Sequence, residues 1–129
     1  MKIKFKTSRF GDLEVEDTRT IQFPEGIPGF SALKRYVLMD YKDTPLKWLQ
    51  SIDNPDVAFI VAAPETVTAG YQVNVDEPVR QLLDLEQNED LAVLLILRVE
   101  AGKLIPNLKA PLLLNPASMK GVQLLPERL

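Results

Sequence analysis

Hydrophobic and polar residues alternate with a period of two in short segments along most of the chain. Ile3 and Phe5 alternate with three lysines, and Leu13 and Val15 alternate with acids, which is typical of strands with one buried and one solvated face. Ten prolines and six glycines are spread along the sequence and interrupt any long helix. The pattern therefore predicts short, consecutive antiparallel strands.

One segment, residues 57–63, is apolar throughout and is typical of a central strand. Residues 100–103 are predicted to reverse the chain between two later strands, because they contain Ala-Gly between aliphatic segments. The other predicted strands cover residues 2–6, 13–15, 18–23, 36–39, 46–50, 71–75, 91–99, 104–105, 112–114 and 122–125.

A short helix is predicted after Asp76, which can cap the free backbone amides, with Pro78 in the first turn. A second helical turn is predicted from Ser31, with Leu33 and Tyr36 directed inward. Together with the strands, these helices predict a mainly β fold, an antiparallel barrel-like sheet with one or two short helices. With 129 residues and 46% hydrophobic content, we expect a single domain over residues 1–129.

Composition limits the chemistry that this chain can perform. It has no cysteine and no histidine, which excludes thiolate nucleophiles, disulfides, Ser-His-Asp triads and imidazole metal sites. The formal net charge is -3, whereas proteins that bind nucleic acid usually present a basic surface, so we expect no direct nucleic-acid contact. The N-terminal residues have no continuous apolar stretch and the longest apolar runs, such as residues 91–97, are too short to span a membrane as a helix, so we expect a cytoplasmic protein without membrane contact.

Carboxylate pairs are the remaining candidates for catalysis, but Glu14 with Glu16 would share one solvated strand face and nothing sets them across a cleft. No metal site and no cofactor are predicted, because the acids lack the spacing of a calcium loop and the glycines lack the spacing of a phosphate loop. The acids in residues 84–90 form either a solvated loop or a docking surface for a basic partner. We therefore expect a non-catalytic binding protein.

Two aromatic residues have two interpretations each. Trp48 is either part of the core, the favoured interpretation, or a contact anchor. Phe30 follows Pro28-Gly29 and is either an exposed contact residue or a loop plug at one end of the barrel.

The most specific motif of the chain is IQFPEGIPGF at residues 21–30, preceded by FGDLEV at residues 10–15. Together with further segments, these two closely resemble the FliW family of flagellar assembly factors. The collinear order of the matching segments over nearly the whole chain makes a chance likeness improbable. The further matching segments are LQSID at residues 49–53, VAFIV at 57–61, EDLAV at 89–93, NLKAPLLLN at 107–115 and GVQ at 121–123.

The resemblance implies a protein that binds and antagonises CsrA, a small RNA-binding translational repressor, and that also binds flagellin. Accumulated flagellin would compete for the protein and release CsrA to repress flagellin synthesis, which couples synthesis to export. Residues with polar or aromatic ends in or beside the matching loops are the expected partner contacts: Phe30, Gln50, Asp53, Asn54, Asn107 and Lys109.

Two alternatives from other classes stay open on the sequence. A small β-barrel could bind a small apolar ligand in an interior cavity lined by Trp48, Phe59 and Tyr71. An oligonucleotide-binding barrel is disfavoured by the acidic composition and by the lack of interleaved basic and aromatic residues on one strand.

Overall fold

The computed structural model describes residues 1–125 and is dominated by β-strands. Two short helices, α1 (Pro64–Val67) and α2 (Glu77–Leu82), and two 3-10 turns, Asp17–Arg19 and Asn88–Asp90, interrupt the strands. The strands are β1 (Lys2–Thr7), β2 (Gly11–Glu16), β3 (Ile21–Gln22), β4 (Arg35–Asp40), β5 (Lys47–Ser51), β6 (Ala58–Ala62), β7 (Ala92–Glu100), β8 (Lys103–Pro106), β9 (Leu112–Asn115) and β10 (Lys120–Gln123).

Seven of these strands form a closed ring in the order β6-β5-β4-β3-β10-β9-β7, and pairing of β7 with β6 completes it. The long strand β7 contacts β9 with its first part and β8 with its last part. Neighbours are antiparallel except β3 and β10, which are parallel where Gln22 lies opposite Lys120. The prediction of a mainly β, barrel-like and largely antiparallel sheet is confirmed.

The inside of the ring holds the main hydrophobic core. Tyr36 and Leu49 are fully buried there, and Leu38, which lies opposite Leu49 and two residues after Tyr36, packs against the same core because residues two apart on a strand share a face. The buried members of this core are Ile21, Phe23, Ile27, Tyr36, Leu49, Val61, Leu112 and Leu114.

Two additional layers cover parts of the outer face. The hairpin β1–β2 packs Phe5 against Val37 and Ile52. Helix α2 packs Val79 in a second cluster that includes Leu113 and other residues of the outer face. This explains why β4 and β9 carry buried residues on both faces and do not show simple alternation.

The predicted helix after Asp76 is confirmed, because the Asp76 carboxylate accepts a hydrogen bond from the Val79 amide at 3.1 Å and Pro78 lies in the first turn. The predicted helical turn at Ser31 is wrong. Instead, the Leu33 amide donates to the Phe30 carbonyl in a tight turn before β4 begins.

The predicted strand at residues 71–75 is also wrong, although the alternation that suggested it is real. The segment alternates between half-buried and exposed residues, and Val73 and Val75 pack beside the α2 cluster. Its backbone pairs with no other strand in the described part of the chain. No helix within residues 1–125 is long and apolar enough to cross a membrane.

Candidate partner-binding surfaces

The turn between β5 and β6 is held by hydrogen bonds to its own side chains. The Ser51 hydroxyl accepts from the amides of Asp53 and Asn54 at 3.1 and 3.0 Å. The Asn54 side-chain oxygen then accepts from the Asp56 amide at 2.9 Å, which is the geometry of an Asx turn. Two of the residues predicted to contact a partner, Asp53 and Asn54, therefore lie on a well-ordered turn.

Gln50 stabilises this turn through hydrogen bonds of its side chain. Its side chain is fully buried, and its amide nitrogen donates to the carbonyls of Ser51 and Val57 at 2.9 and 3.2 Å. The carbonyl oxygen of the same side chain has no hydrogen-bond partner among residues 1–125. Since the residue has no exposed surface, it can contribute to partner contact only by fixing the turn above it.

Asp53 forms an ion pair with Arg35, whose Nε and Nη2 atoms both donate to one carboxylate oxygen at 3.1 and 2.7 Å. The two side chains are 30% and 41% exposed, so solvent screens the pair but can also reach it. Tyr36 lies nearby: burial and, to a smaller extent, the Asp53 charge raise the pKa of Tyr36 to about 12. The pair thus presents a fixed charge pattern at the surface.

Phe30 lies in the connection between β3 and β4, where its ring is packed against the core and partly exposed. Its ring packs edge-to-face on Phe59 with a centroid distance of 5.3 Å, yet 38% of its surface is exposed. Gly26 allows the loop to close because an added Cβ atom would lie 2.6 Å from Ser31 Cα. Phe30 therefore covers one edge of the core and also offers an aromatic surface to solvent.

Asn107 and Lys109 lie in the connection between β8 and β9. The Asn107 amide donates to the Ile96 carbonyl at 2.8 Å, and its side-chain oxygen accepts from the Lys109 amide at 3.2 Å. The neighbouring Leu108 carbonyl accepts from the Tyr71 hydroxyl at 2.6 Å. The connection is therefore ordered, and both side chains are exposed.

The structure brings the candidate residues together in two groups. Phe30, Gln50, Asp53 and Asn54 surround the β5–β6 turn and the neighbouring β3–β4 connection, whereas Asn107 and Lys109 belong to the β8–β9 connection. No hydrogen bond or ion pair described for residues 1–125 joins the two groups. The same part of the chain contains no group of three acidic residues placed to hold a metal ion.

An aromatic cluster on the outer face was missed by sequence reasoning. Trp48 stacks on Tyr41 with a centroid distance of 5.3 Å, Phe10 meets it edge-on, and the Arg9 guanidinium lies 4.8 Å above its ring. The favoured interpretation of Trp48 as a core residue is wrong, because it lies outside the three buried clusters. Its neighbour Leu49 faces inward, so strand alternation directs Trp48 outward, a signal that the sequence already contained.

Comparison with known proteins identifies the family. The model of the FliW protein family matches residues 4–128, nearly the whole chain. The chain belongs to the FliW family. Among curated FliW relatives, a flagellar assembly factor of Caldanaerobacter subterraneus subsp. tengcongensis is 35% identical, covering 95% of this chain and 85% of its own. One of Thermoanaerobacter pseudethanolicus is 37% identical over 94% of this chain and 83% of its own.

A solved structure agrees with the FliW assignment. The crystal structure of a flagellar assembly factor FliW superposes with a TM-score of 0.88 at 31% identity, covering 95% of this chain and 88% of the other. The family resemblance inferred from the segments at residues 10–15 and 21–30 is therefore confirmed. In this FliW chain, the second of those segments contains β3 and the loop that presents Phe30.

Proposed function

We propose that this protein is a flagellar assembly factor that acts by protein contact: it binds and antagonises the translational repressor CsrA, and it binds flagellin. On this proposal flagellin and CsrA compete, so that free flagellin releases CsrA and stops further flagellin synthesis. The observation that carries the proposal is family membership over residues 4–128 together with the close structural likeness to a flagellar assembly factor. We further propose that the chain forms one domain that works in the cytoplasm.

The surface features support a role in protein recognition. Ordered turns with exposed polar and aromatic groups cost little entropy on binding, because their conformation is already fixed. Asp53 and Phe30 meet this condition around the β5–β6 turn, the half-buried Asn54 meets it in part, and Lys109 meets it in the β8–β9 connection. A net charge of -3 suits a protein that must approach an RNA-binding partner, since negative potential opposes phosphate binding nearby.

Calorimetric titration with CsrA and flagellin of the same organism tests the proposal. We expect binding of each partner at micromolar concentration or below, and loss of the CsrA signal when flagellin is already bound. Absence of binding to both partners would exclude the proposed function. Binding of both partners at once, without mutual weakening, would exclude competition.

Charge reversal tests the predicted contact residues. Asp53→Lys and Lys109→Glu should each weaken at least one partner by about tenfold, because each places a repulsive charge in the interface. Asp43→Lys and Lys103→Glu are matched controls, since both change exposed residues outside the predicted set. Unchanged affinities for both partners in both test variants, with folding intact, would exclude this surface.

The small-ligand alternative has little support. Trp48 packs with Tyr41 on the outer face, Phe59 packs with Tyr36 and Phe30, and Tyr71 bonds to Leu108. The three residues that would have lined one cavity are therefore in three separate surroundings. We retain protein recognition as the function.

A further inference from the structure

The wall of the barrel has a gap beside the first part of β7. Strand β6 ends at Ala62, which lies opposite Leu95, and Pro64 then begins helix α1. Residues 92–94 of β7 pair with β9 on one side and have no β6 residue on the other. A short length of strand edge is therefore left open next to a well-paired sheet.

The backbone of Val93 points into this gap. In a strand, successive residues direct their N–H and C=O groups to opposite sides, and the Ile96 carbonyl accepts from Asn107 on the side of β8 and β9. The same two-residue period then directs the backbone N–H and C=O groups of Leu94 toward β9 and those of Val93 away from it. The side chains follow the same two-residue period, since those of Ala92, Leu94 and Ile96 all pack against the inner core. No hydrogen bond within residues 1–125 involves the Val93 backbone outside the strand ladder.

A groove of about 750 Å³ lies along this edge. One wall is residues 91–94, and the other is α1 with the extended segment that follows it, including Ala69 and Tyr71. The backbone of residues 69–75 also makes no hydrogen bond to another backbone group within the described residues. Two open backbone edges and a mainly apolar lining thus border one groove, which is the setting in which proteins add a strand from a partner.

The charges around the groove are of one sign. Glu65 lines it, and the exposed residues Glu89 and Asp90 directly precede Leu91 at its rim. No lysine or arginine is among the lining residues. Glu65, Glu89 and Asp90 form no ion pair within the described part of the chain. The negative potential is therefore available to a basic partner.

We propose that this groove binds an extended peptide segment of a protein partner, which adds a strand to β7 at Val93. Side chains of the added strand would alternate between the apolar barrel wall and the acidic rim, so the segment should alternate apolar with basic residues. This inference goes beyond the proposed function, because it assigns a surface and a mode of recognition that do not depend on which protein supplies the strand.

A synthetic heptapeptide that alternates valine with lysine, acetylated and amidated at its ends, is a direct probe. Amide hydrogen exchange, measured by NMR on the whole chain, should show the Val93 amide slowing by about tenfold or more when the peptide binds. The Ala92 and Leu94 amides are internal controls, because β9 already protects them. Lack of binding, or binding without protection of Val93, would overturn the proposal.

Variants of the groove and of the peptide separate strand addition from general charge attraction. Ala69→Arg fills an exposed part of the groove wall and should weaken peptide binding about tenfold, which corresponds to about 1.4 kcal/mol. Thr66→Arg is the matched control, since Thr66 is exposed on α1 but does not line the groove. It should leave the affinity within about twofold of the parent, because the added charge is the same but the groove stays open.

The peptide controls test the backbone and the charge separately. Methylation of the central amide nitrogens should abolish binding, because it removes the donors that a strand ladder needs. Replacement of the lysines by glutamates should also abolish it, because of repulsion from Glu65 and the rim acids. Equal binding of the methylated peptide would overturn strand addition. CsrA and flagellin are titrated into the parent protein and into Ala69→Arg in separate experiments. A groove that does not bind the peptide can therefore be distinguished from a protein that does not bind CsrA or flagellin.

Discussion

Tyr36 places a hydroxyl group in the apolar interior of the barrel, where it has no hydrogen-bond partner among residues 1–125. An unpaired polar group in such a place costs free energy, because water no longer solvates it. The ring itself is well packed, edge-on to Phe23 at 5.3 Å. At the scale of single residues, the two parts of this side chain therefore have opposite effects on stability.

Replacing Tyr36 by phenylalanine removes only the hydroxyl group. We expect the free energy of unfolding to stay constant or to rise by up to about 1 kcal/mol, because a buried unpaired group disappears. Tyr71→Phe is the contrasting variant. It removes a hydrogen bond to the Leu108 carbonyl and should lower the free energy of unfolding by about 1 kcal/mol. Urea unfolding measures both, and a loss above about 1 kcal/mol in Tyr36→Phe would contradict the assignment of an unpaired hydroxyl.

The raised pKa of Tyr36 should also make the free energy of unfolding depend on pH. Burial, aided by the Asp53 charge, raises the pKa of Tyr36 from its ordinary value of 10.0 to about 12. Between these values the unfolded chain has lost the proton while the folded chain keeps it, so the folded state binds more protons. The free energy of unfolding should therefore fall as pH rises from 10 to 12, and fall less in Tyr36→Phe. Equal slopes in the two proteins would exclude this origin.

At the scale of elements, the loop between β3 and β4 depends on Gly26, and Gly11 at the start of β2 offers a comparison. Gly26 and Gly11 both have positive φ angles, 69° and 72°. They differ in their surroundings: a Cβ atom at position 26 would collide with the Ser31 backbone, whereas position 11 has nothing within 4 Å. This loop leads directly to Phe30 and thus sets the position of the exposed ring.

Alanine at these two glycines separates conformational strain from collision. Gly11→Ala should cost about 1 kcal/mol, since the left-handed region is strained for residues with a Cβ atom. Gly26→Ala should cost at least about 1 kcal/mol more, because the Ser31 backbone must move as well. Thermal or urea unfolding measures the difference. Equal losses at both positions would show that the loop adapts to the added methyl group.

Helix α2 has only six residues and depends on its N-cap and on its packing. Asp76→Ala should lower the free energy of unfolding by about 1 kcal/mol, because the Val79 amide loses its acceptor. Asp76→Asn should preserve most of the stability, since asparagine is an equally good cap. Urea unfolding compares the two variants with the parent, and equal losses would exclude capping as the cause.

The elements also show what sequence patterns can and cannot predict. Alternation located most strands, because burial on one face is a local property of the chain, and the residue types of Asp76 and Pro78 located the start of α2. Residues 71–75 alternate in the same way but pair with no strand in the described part of the chain. Alternation indicates which side chains are buried, whereas strand pairing depends on how the whole chain folds. The contact residues were likewise predicted from residue type, whereas the burial of Gln50 depends on its place in the sheet between Val37 of β4 and Ala58 of β6.

At the scale of the whole molecule, the inner core is filled by large apolar side chains, including Phe23, Tyr36 and Leu49. A tightly bound small molecule should therefore be absent after purification. Native mass spectrometry should give the mass of the chain alone, or of a simple multiple of it. An additional mass that persists under native conditions and disappears on denaturation would favour the ligand-binding alternative.

The parallel pairing of β3 with β10 has a consequence for how the protein is made in the cell. Gln22 and Lys120 lie almost a hundred residues apart in sequence, yet their strands are adjacent in the ring. While β10 is still inside the ribosomal exit tunnel, the barrel cannot close, and the edges of β3 and β9 lack their partner. Final closure must therefore follow emergence of β10 from the tunnel, and it should be slow because loop closure precedes the contacts that stabilise it.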